Sequence, residues 1–239
     1  MDITGSVALV TGANRGLGKS LCASLLERGA SKVYAGARDI SSVTMDGVEP
    51  ILLDITSTDD IEAAALRCGD VTLLVNNAGI GTGTSALADN AAEMAQREFD
   101  TNVFGPLAMS RAFAPILGAN GGGAIVNVLS VLAWFSAPTS ALYCAAKAAS
   151  WSLTNSIRLE LHPQHTQVLA LFVGFMDTDM TAALDVPKSS PDDVAAQVMD
   201  GLVAGAFEVM ADEVSRNVRA ALSGDLAALY PVLAAATVR

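Results

Sequence analysis

The sequence predicts an α/β fold: one doubly wound parallel sheet of about seven strands with helices on both faces. Three observations point there. Short apolar runs alternate with longer helix-like segments, the pattern of strands buried on both faces in βαβ units. A glycine-rich turn follows the first run and opens the first helical segment. No linker, internal repeat or break in composition divides the chain, so residues 1–239 read as a single domain.

In chain order, VALV (7–10), KVYA (32–35), VEPILL (48–53), VTLLV (71–75), AIVNVL (124–129) and VLALFV (168–173) predict strands, and EVM (208–210) a seventh. Residues 17–28, 58–67, 91–117, 140–161 and 191–205 predict the helices between them. The first carries Leu17, Leu21 and Leu25 at i, i+4 spacing, as a helix packed on a sheet should.

Composition removes several functional classes. The chain is 51% hydrophobic and 16% charged, which describes a packed globular protein and not a disordered one. Its net charge of −11, from 14 basic against 25 acidic residues, argues against binding nucleic acid, which needs a basic stripe. No run reaches the roughly 18 apolar residues of a membrane span. The opening Met1-Asp2-Ile3-Thr4-Gly5 has neither the basic region nor the apolar stretch of a secretory signal. Cys22, Cys68 and Cys144 form neither a disulfide framework nor a zinc pattern. His162 and His165, interrupted by Pro163, lack a third ligand, so no metal is expected. The expected location is a reducing cytoplasm.

The turn Thr11-Gly12-Ala13-Asn14-Arg15-Gly16-Leu17-Gly18-Lys19-Ser20 is suited to a phosphate, because glycines let the backbone approach and the following helix offers free N–H groups. Gly18-Lys19-Ser20 could end a nucleotide-hydrolase loop, but the spacing back to Gly12 is one residue too long; residue 13 is Ala13. The second strand runs into Ala37-Arg38-Asp39, about 20 residues after the glycines, where an acid binding the ribose would favour NAD. Arg38 and Arg15 would instead welcome a 2′-phosphate, while Asp39 is the counter-signal. The balance favours NADP(H).

Tyr143 and Lys147 stand four residues apart in an alanine-rich helix, hence on one face. The pair reads either as an ordinary surface or as a phenol made acidic by an ammonium. In Asn102-Val103-Phe104-Gly105-Pro106, the proline cannot donate to the Asn102 carbonyl, which leaves that oxygen free to hold a water. Trp134 and Phe135 read equally well as core or as the wall of an apolar pocket.

Taken in order, Gly12-x-x-x-Gly16-x-Gly18, Asn76-Asn77-Ala78-Gly79, Asn102, Ser130 and Tyr143-x-x-x-Lys147 resemble the classical short-chain dehydrogenase/reductase family over essentially the whole chain. The resemblance implies a Rossmann-type sheet and hydride exchange between a nicotinamide and a carbonyl or alcohol carbon. It implies Tyr143 as general acid/base, Ser130 orienting the substrate oxygen, Lys147 on the nicotinamide ribose and Asn102 anchoring a proton-relay water. It further implies cofactor contacts from Gly12, Asn14, Arg15, Gly16, Leu17, Gly18, Arg38, Asp54, Ile55, Asn76, Ala78, Gly79, Tyr143, Lys147, Gly174 and Thr178. Val173 departs from the family's usual proline, and Ala146 from a frequent serine.

The short connection from Thr178 to Pro191 predicts an open or partner-completed pocket for a small, hydrophobic ketone, aldehyde or secondary alcohol. Small residues at 141, 145, 148, 152 and 156 on the Tyr143 helix predict a homodimer or homotetramer built on it. The leading expectation is thus an NADPH-dependent carbonyl reductase. An NADP-binding regulator without turnover and a P-loop nucleotide hydrolase are the alternatives.

Overall fold

A computed structural model describes residues 1–234; the last five residues of the expected single domain lie outside the described residues. Seven parallel strands form one sheet: β1 (Val7–Thr11), β2 (Lys32–Ala37), β3 (Glu49–Leu52), β4 (Leu73–Asn76), β5 (Gly123–Val128), β6 (Thr166–Phe172) and β7 (Glu208–Met210). Their order is β3-β2-β1-β4-β5-β6-β7. The order reverses between β1 and β4, which opens a crevice at the carboxyl ends of those two strands.

Strand alternation divides the core. Val10, Val33, Val75, Val126 and Leu171 face one layer, packed by α1 (Gly16–Glu27) through Leu17, Leu21 and Leu25 and by α6 (Pro191–Val203) through Val194, Val198 and Leu202. Leu9, Leu74, Ile125 and Val168 face the other. There they meet Ile61 of α2 (Thr58–Arg67), Met109, Phe113 and Leu117 of α4 (Gly105–Ala119), and Ile157 of α5 (Ala141–Leu161). Helix starts follow local chemistry. Ser57 caps α2 by accepting the Asp60 N–H, with Asp59 and Asp60 in the first turn, and Ser190 caps α6 ahead of Pro191.

Two expectations change. The single helix over 91–117 is instead α3 (Ala91–Phe99), a π-turn (Asp100–Phe104) and α4. Pro106 lacks the N–H for a regular i, i+4 bond and its ring crowds the preceding turn; the chain widens there, and the Gly105 N–H reaches the Asp100 carbonyl. Second, an unanticipated α7 (Glu213–Ala221) follows β7, capped by Asp212, whose carboxylate accepts the Ser215 N–H at 2.7 Å. Short α8 (Leu226–Leu229) and α9 (Pro231–Ala234) complete the described chain.

A line of buried polar groups crosses the second layer. Asn76 Nδ2 donates to Asn127 Oδ1 at 2.8 Å, and Asn127 Nδ2 donates to Thr154 Oγ1 at 3.0 Å. The Thr154 hydroxyl donates to the Ser150 carbonyl, and the Ser150 hydroxyl reaches both the Asn102 carbonyl at 2.7 Å and the Ala146 carbonyl at 2.9 Å. Truncating the middle of this line strands partners on both sides. Asn127→Ala should therefore lower unfolding free energy by about 2 kcal/mol, measured by chemical denaturation. A change indistinguishable from zero would contradict the linkage.

Candidate active site

The glycine turn closes on β4 by contacts that admit no side chain. Gly12 and Gly16 have φ of +63° and +50°, and an ideal Cβ on Gly18 would lie 2.1 Å from the Gly12 oxygen. Thr11 Oγ1 accepts the N–H groups of Asn77 and Ala78, each at 3.0 Å. Asn77 Nδ2 returns bonds to the Thr11 and Gly12 carbonyls. No side chain caps α1 at Arg15, so its first N–H groups remain available to an anion. Leu17 and Gly18 are buried, Asn14 is half-buried in the turn, and Lys19 is exposed on α1. Arg15 forms an exposed ion pair with Asp179 at 3.0 Å.

On the ribose side, Arg38 is exposed at the end of β2. Asp39 turns its carboxylate into its own loop, accepting the Ser41 N–H at 2.9 Å and hydroxyl at 2.6 Å. Partial burial would raise Asp54, but bonds from the Thr56 N–H and hydroxyl, with the nearby Arg38 charge, outweigh it and hold the carboxyl below its usual range. The Ile55 side chain is buried against Gly105.

Asn76 corrects one expectation. Its side chain lies on the Leu74 face of β4, bonded to Ser110 and Asn127, so alternation turns it toward α4 and away from the glycine turn. The adjacent Asn77 has the position-setting contacts expected of that segment. Ala78 touches Gly12, and an ideal Cβ on Gly79 would sit 2.9 Å from Asn102 Oδ1 and 3.8 Å from Lys147 Nζ. The turn, the Asn76–Gly79 segment, Asn102 and Lys147 are therefore contiguous. Asn102 clamps Ile80 by two bonds: Oδ1 accepts its N–H at 3.0 Å, and Nδ2 donates to its carbonyl at 2.9 Å. The Asn102 carbonyl is not free of protein partners, because α5 packs on the π-turn and brings the Ser150 hydroxyl to it; one of its two lone pairs remains. Beside it lies a cavity of 20 Å³ lined by Asn76, Asn102, Asn127, Lys147, Ser150 and Thr154, enough for one water.

Ser130 follows β5 and caps a short turn, its Oγ accepting the Leu132 N–H at 3.2 Å. Tyr143 and Lys147 share a face of α5, with Nζ 5.5 Å from the ring centroid. The expectation that the ammonium makes the phenol acidic is not met by this geometry. Burial raises the Tyr143 phenol well above its ordinary value, the charge of Glu98 adds to this, and Ser130 opposes it. Lys147 is itself buried, which lowers its ammonium to about 8, and Nζ donates to the Val128 carbonyl at 2.9 Å. Desolvation wins over the local charge pair.

Trp134 belongs to the core: it stacks on Phe172 with centroids 3.8 Å apart and meets Trp151 edge-on. Phe135 is half-buried against α7 and α8, lining an apolar cavity of 170 Å³ with Val218, Ala221, Ala228 and Leu229. After β6, the Gly174 N–H donates to Asp212 at 2.5 Å. Thr178 Cγ2 would lie 3.2 Å from a Cβ on Gly16, which brings this loop over the glycine turn. Ser150 and Asp212 thus support the site without having been singled out, and Thr11 and Asn77, quoted in the motifs, were given no role of their own. The amphipathic Val214, Val218 and Leu222 behind Asp212 were a legible sign of α7.

The buried lysine gives a signed pH dependence. The folded chain releases the Lys147 proton near pH 8 and the unfolded chain near 10.5, so its contribution to stability rises with pH across that window. Lys147→Met should be more stable than the natural chain below pH 8. That advantage should shrink by about 3 kcal/mol by pH 10.5. A stability difference independent of pH, in paired thermal melts, would contradict the desolvated ammonium.

The sequence model described as short chain dehydrogenase matches residues 6–188. A 3-oxoacyl-[acyl-carrier-protein] reductase of Vibrio harveyi is 32% identical over 214 residues, covering 86% of this chain and 85% of that protein. An NADP-dependent 3-hydroxy acid dehydrogenase of Schizosaccharomyces pombe is 28% identical, covering 88% and 92%. Among solved structures, a short chain dehydrogenase from Burkholderia cenocepacia in complex with NADP superposes with a TM-score of 0.93 at 41% identity, covering 98% and 99%. With the parallel sheet, the glycine turn and the Tyr143–Lys147 face already in place, these matches show that the chain belongs to the short chain dehydrogenase family, oxidoreductases acting on CH–OH or C=O groups.

Proposed function

We propose that this protein is an NADPH-dependent carbonyl reductase for small hydrophobic ketones or aldehydes, able to run in reverse on secondary alcohols. The observation that carries the reading is the convergence of Ser130, the protonated Tyr143 phenol and buried Lys147 next to the glycine turn. The residues fit a dinucleotide: the N-terminus of α1 is uncapped, and Gly12, Gly16 and Gly18 let the turn before it fold tightly against the Asn77–Ala78 segment and Thr178. Arg38 and Arg15 favour a 2′-phosphate, and Asp39 turns its carboxylate toward Ser41 in its own loop. The NADP complex of the Burkholderia relative supports the same choice.

When bound, NADPH supplies the hydride. The chain's own residues do the rest. Tyr143, a phenol at neutral pH, is the acid that protonates the developing alkoxide, and Ser130 holds that oxygen by a hydrogen bond. Lys147 holds the nicotinamide ribose in this reading. Asn102 and Lys147 both line the small cavity, where a water would anchor a relay between them. Exposed Phe175, Met180, Leu184 and Val186 on the loop after β6 offer apolar contacts to a substrate.

The α5 stripe bears on assembly. Ala145, Ser152 and Ser156 are exposed, with Leu159 beside them, which supports a dimer or tetramer formed across this helix. Light scattering at micromolar concentration checks it; a monomer alone would remove the proposal.

The deciding assay is NADPH consumption with a panel of aliphatic and aromatic ketones. Tyr143→Phe removes the proton donor and should lower kcat by at least about 100-fold. Undiminished turnover in the variant would remove Tyr143 from the chemistry, and no turnover of any carbonyl by the natural chain would undo the reductase reading.

A further inference from the structure

Only two charged side chains are buried among the described residues, and they are of opposite sign: Lys147 and Glu98. Lys147 has a place in the proposed chemistry. Glu98, fully buried and the only buried residue of α3, has none so far. Its Oε1 accepts both the N–H of Thr82, at 2.7 Å, and the Thr82 hydroxyl, at 2.6 Å. Its Oε2 has no hydrogen-bond partner. A buried carboxylate oxygen left bare is costly unless a nearby positive charge compensates it. None of the five ion pairs among the described residues includes Glu98.

Glu98 is also placed to shape the site. Thr82, which it holds, belongs to the segment that leaves Gly79 beside Lys147 and runs past the tyrosine; an ideal Cβ on Gly81 would lie 3.7 Å from Tyr143 Cδ2. We propose that Glu98 is a positioning residue for the Tyr143–Lys147 pair. It pins the 81–84 segment as the wall beside the tyrosine ring and supplies a buried charge opposite in sign to that of Lys147.

The surrounding charges agree. The groups that feel Glu98 are Tyr143, Cys144 and Lys147, all on α5, and each is raised by it. For Lys147 it is the one charge opposing desolvation. On its own stretch of chain, Arg97 is exposed, and Asp100 accepts a bond from Gln96. The catalytic meaning of this arrangement rests on the reductase reading; the charge balance does not.

The test separates the two. Nuclear magnetic resonance titration of the lysine Cε signals, with Lys147 assigned through Lys147→Arg, reads the ammonium directly and needs no substrate. Glu98→Gln keeps the side-chain length and an oxygen for Thr82 but removes the charge. It should move the Lys147 midpoint down from about 8 by about half a pH unit or more. Thr82→Ala, which cuts the anchor and keeps the charge, should leave the midpoint in place. If the glutamine variant does not fold, Glu98→Met carries the same expectation. The pH profile of NADPH-dependent reduction should shift with the midpoint, and Glu98→Asp should restore it. Coincident midpoints in Glu98→Gln and the natural chain would overturn the proposal, as would an equal shift in Thr82→Ala. If no carbonyl is turned over, the reductase reading fails while the titration still decides this one.

Discussion

A continuous line of buried hydrogen bonds holds the catalytic side of this protein together. It runs from Asn76 on β4 through Asn127 on β5 to Thr154 and Ser150 on α5, and ends on the Asn102 carbonyl in the π-turn. Each bond in the line pairs groups in a setting where an unpaired polar group costs about 1–3 kcal/mol, and Asn76 Oδ1, at its β4 end, is left without a partner. The line therefore fixes α5 against the sheet and the π-turn against α5. Lys147 and Tyr143 stand one and two turns along the same helix from Ser150, so their placement depends on that line. Gly79 then leaves room for Asn102 and Lys147 to come together.

Burial of Lys147, beside a half-buried Tyr143, dominates the electrostatics of the site. A tyrosine and a lysine four residues apart would be expected to share charge, with the lysine drawing the phenol toward ionisation. Burial opposes both charged forms and raises one group while lowering the other. The result is a phenol that keeps its proton and an ammonium that holds its own less firmly. That is a sound starting state for donating a proton to a developing alkoxide, and it costs stability, as active-site strain commonly does.

The fold was legible because strands buried on both faces write themselves as apolar runs, and β1 to β6 lie where those runs fall. The glycines, Asn102, Ser130, Tyr143 and Lys147 stood out in the sequence as candidates because each is a particular residue type at a particular spacing. What was not legible depends on direction or on distant contacts. Asn76 and Asn77 are neighbours of the same type, and only strand alternation shows that the first faces α4 and the second faces the glycine turn. The break in the 91–117 helix was half visible: Pro106 marked the fault, but the widened turn that absorbs it and the Ser150 hydroxyl that meets the Asn102 carbonyl come from elsewhere in the chain. Trp134 read equally as pocket or core until α7, unread in the sequence, covered it with Val218 and Leu222.

The central claim is that the glycine turn, Arg38 and the Lys147 face form one NADPH site. Isothermal titration of the natural chain with NADPH and with NADH, at fixed ionic strength, tests it most directly. The account predicts that NADPH binds at least about tenfold more tightly, a difference of about 1.4 kcal/mol attributable to the 2′-phosphate. Equal affinity for the two cofactors, or tighter binding of NADH, would contradict it.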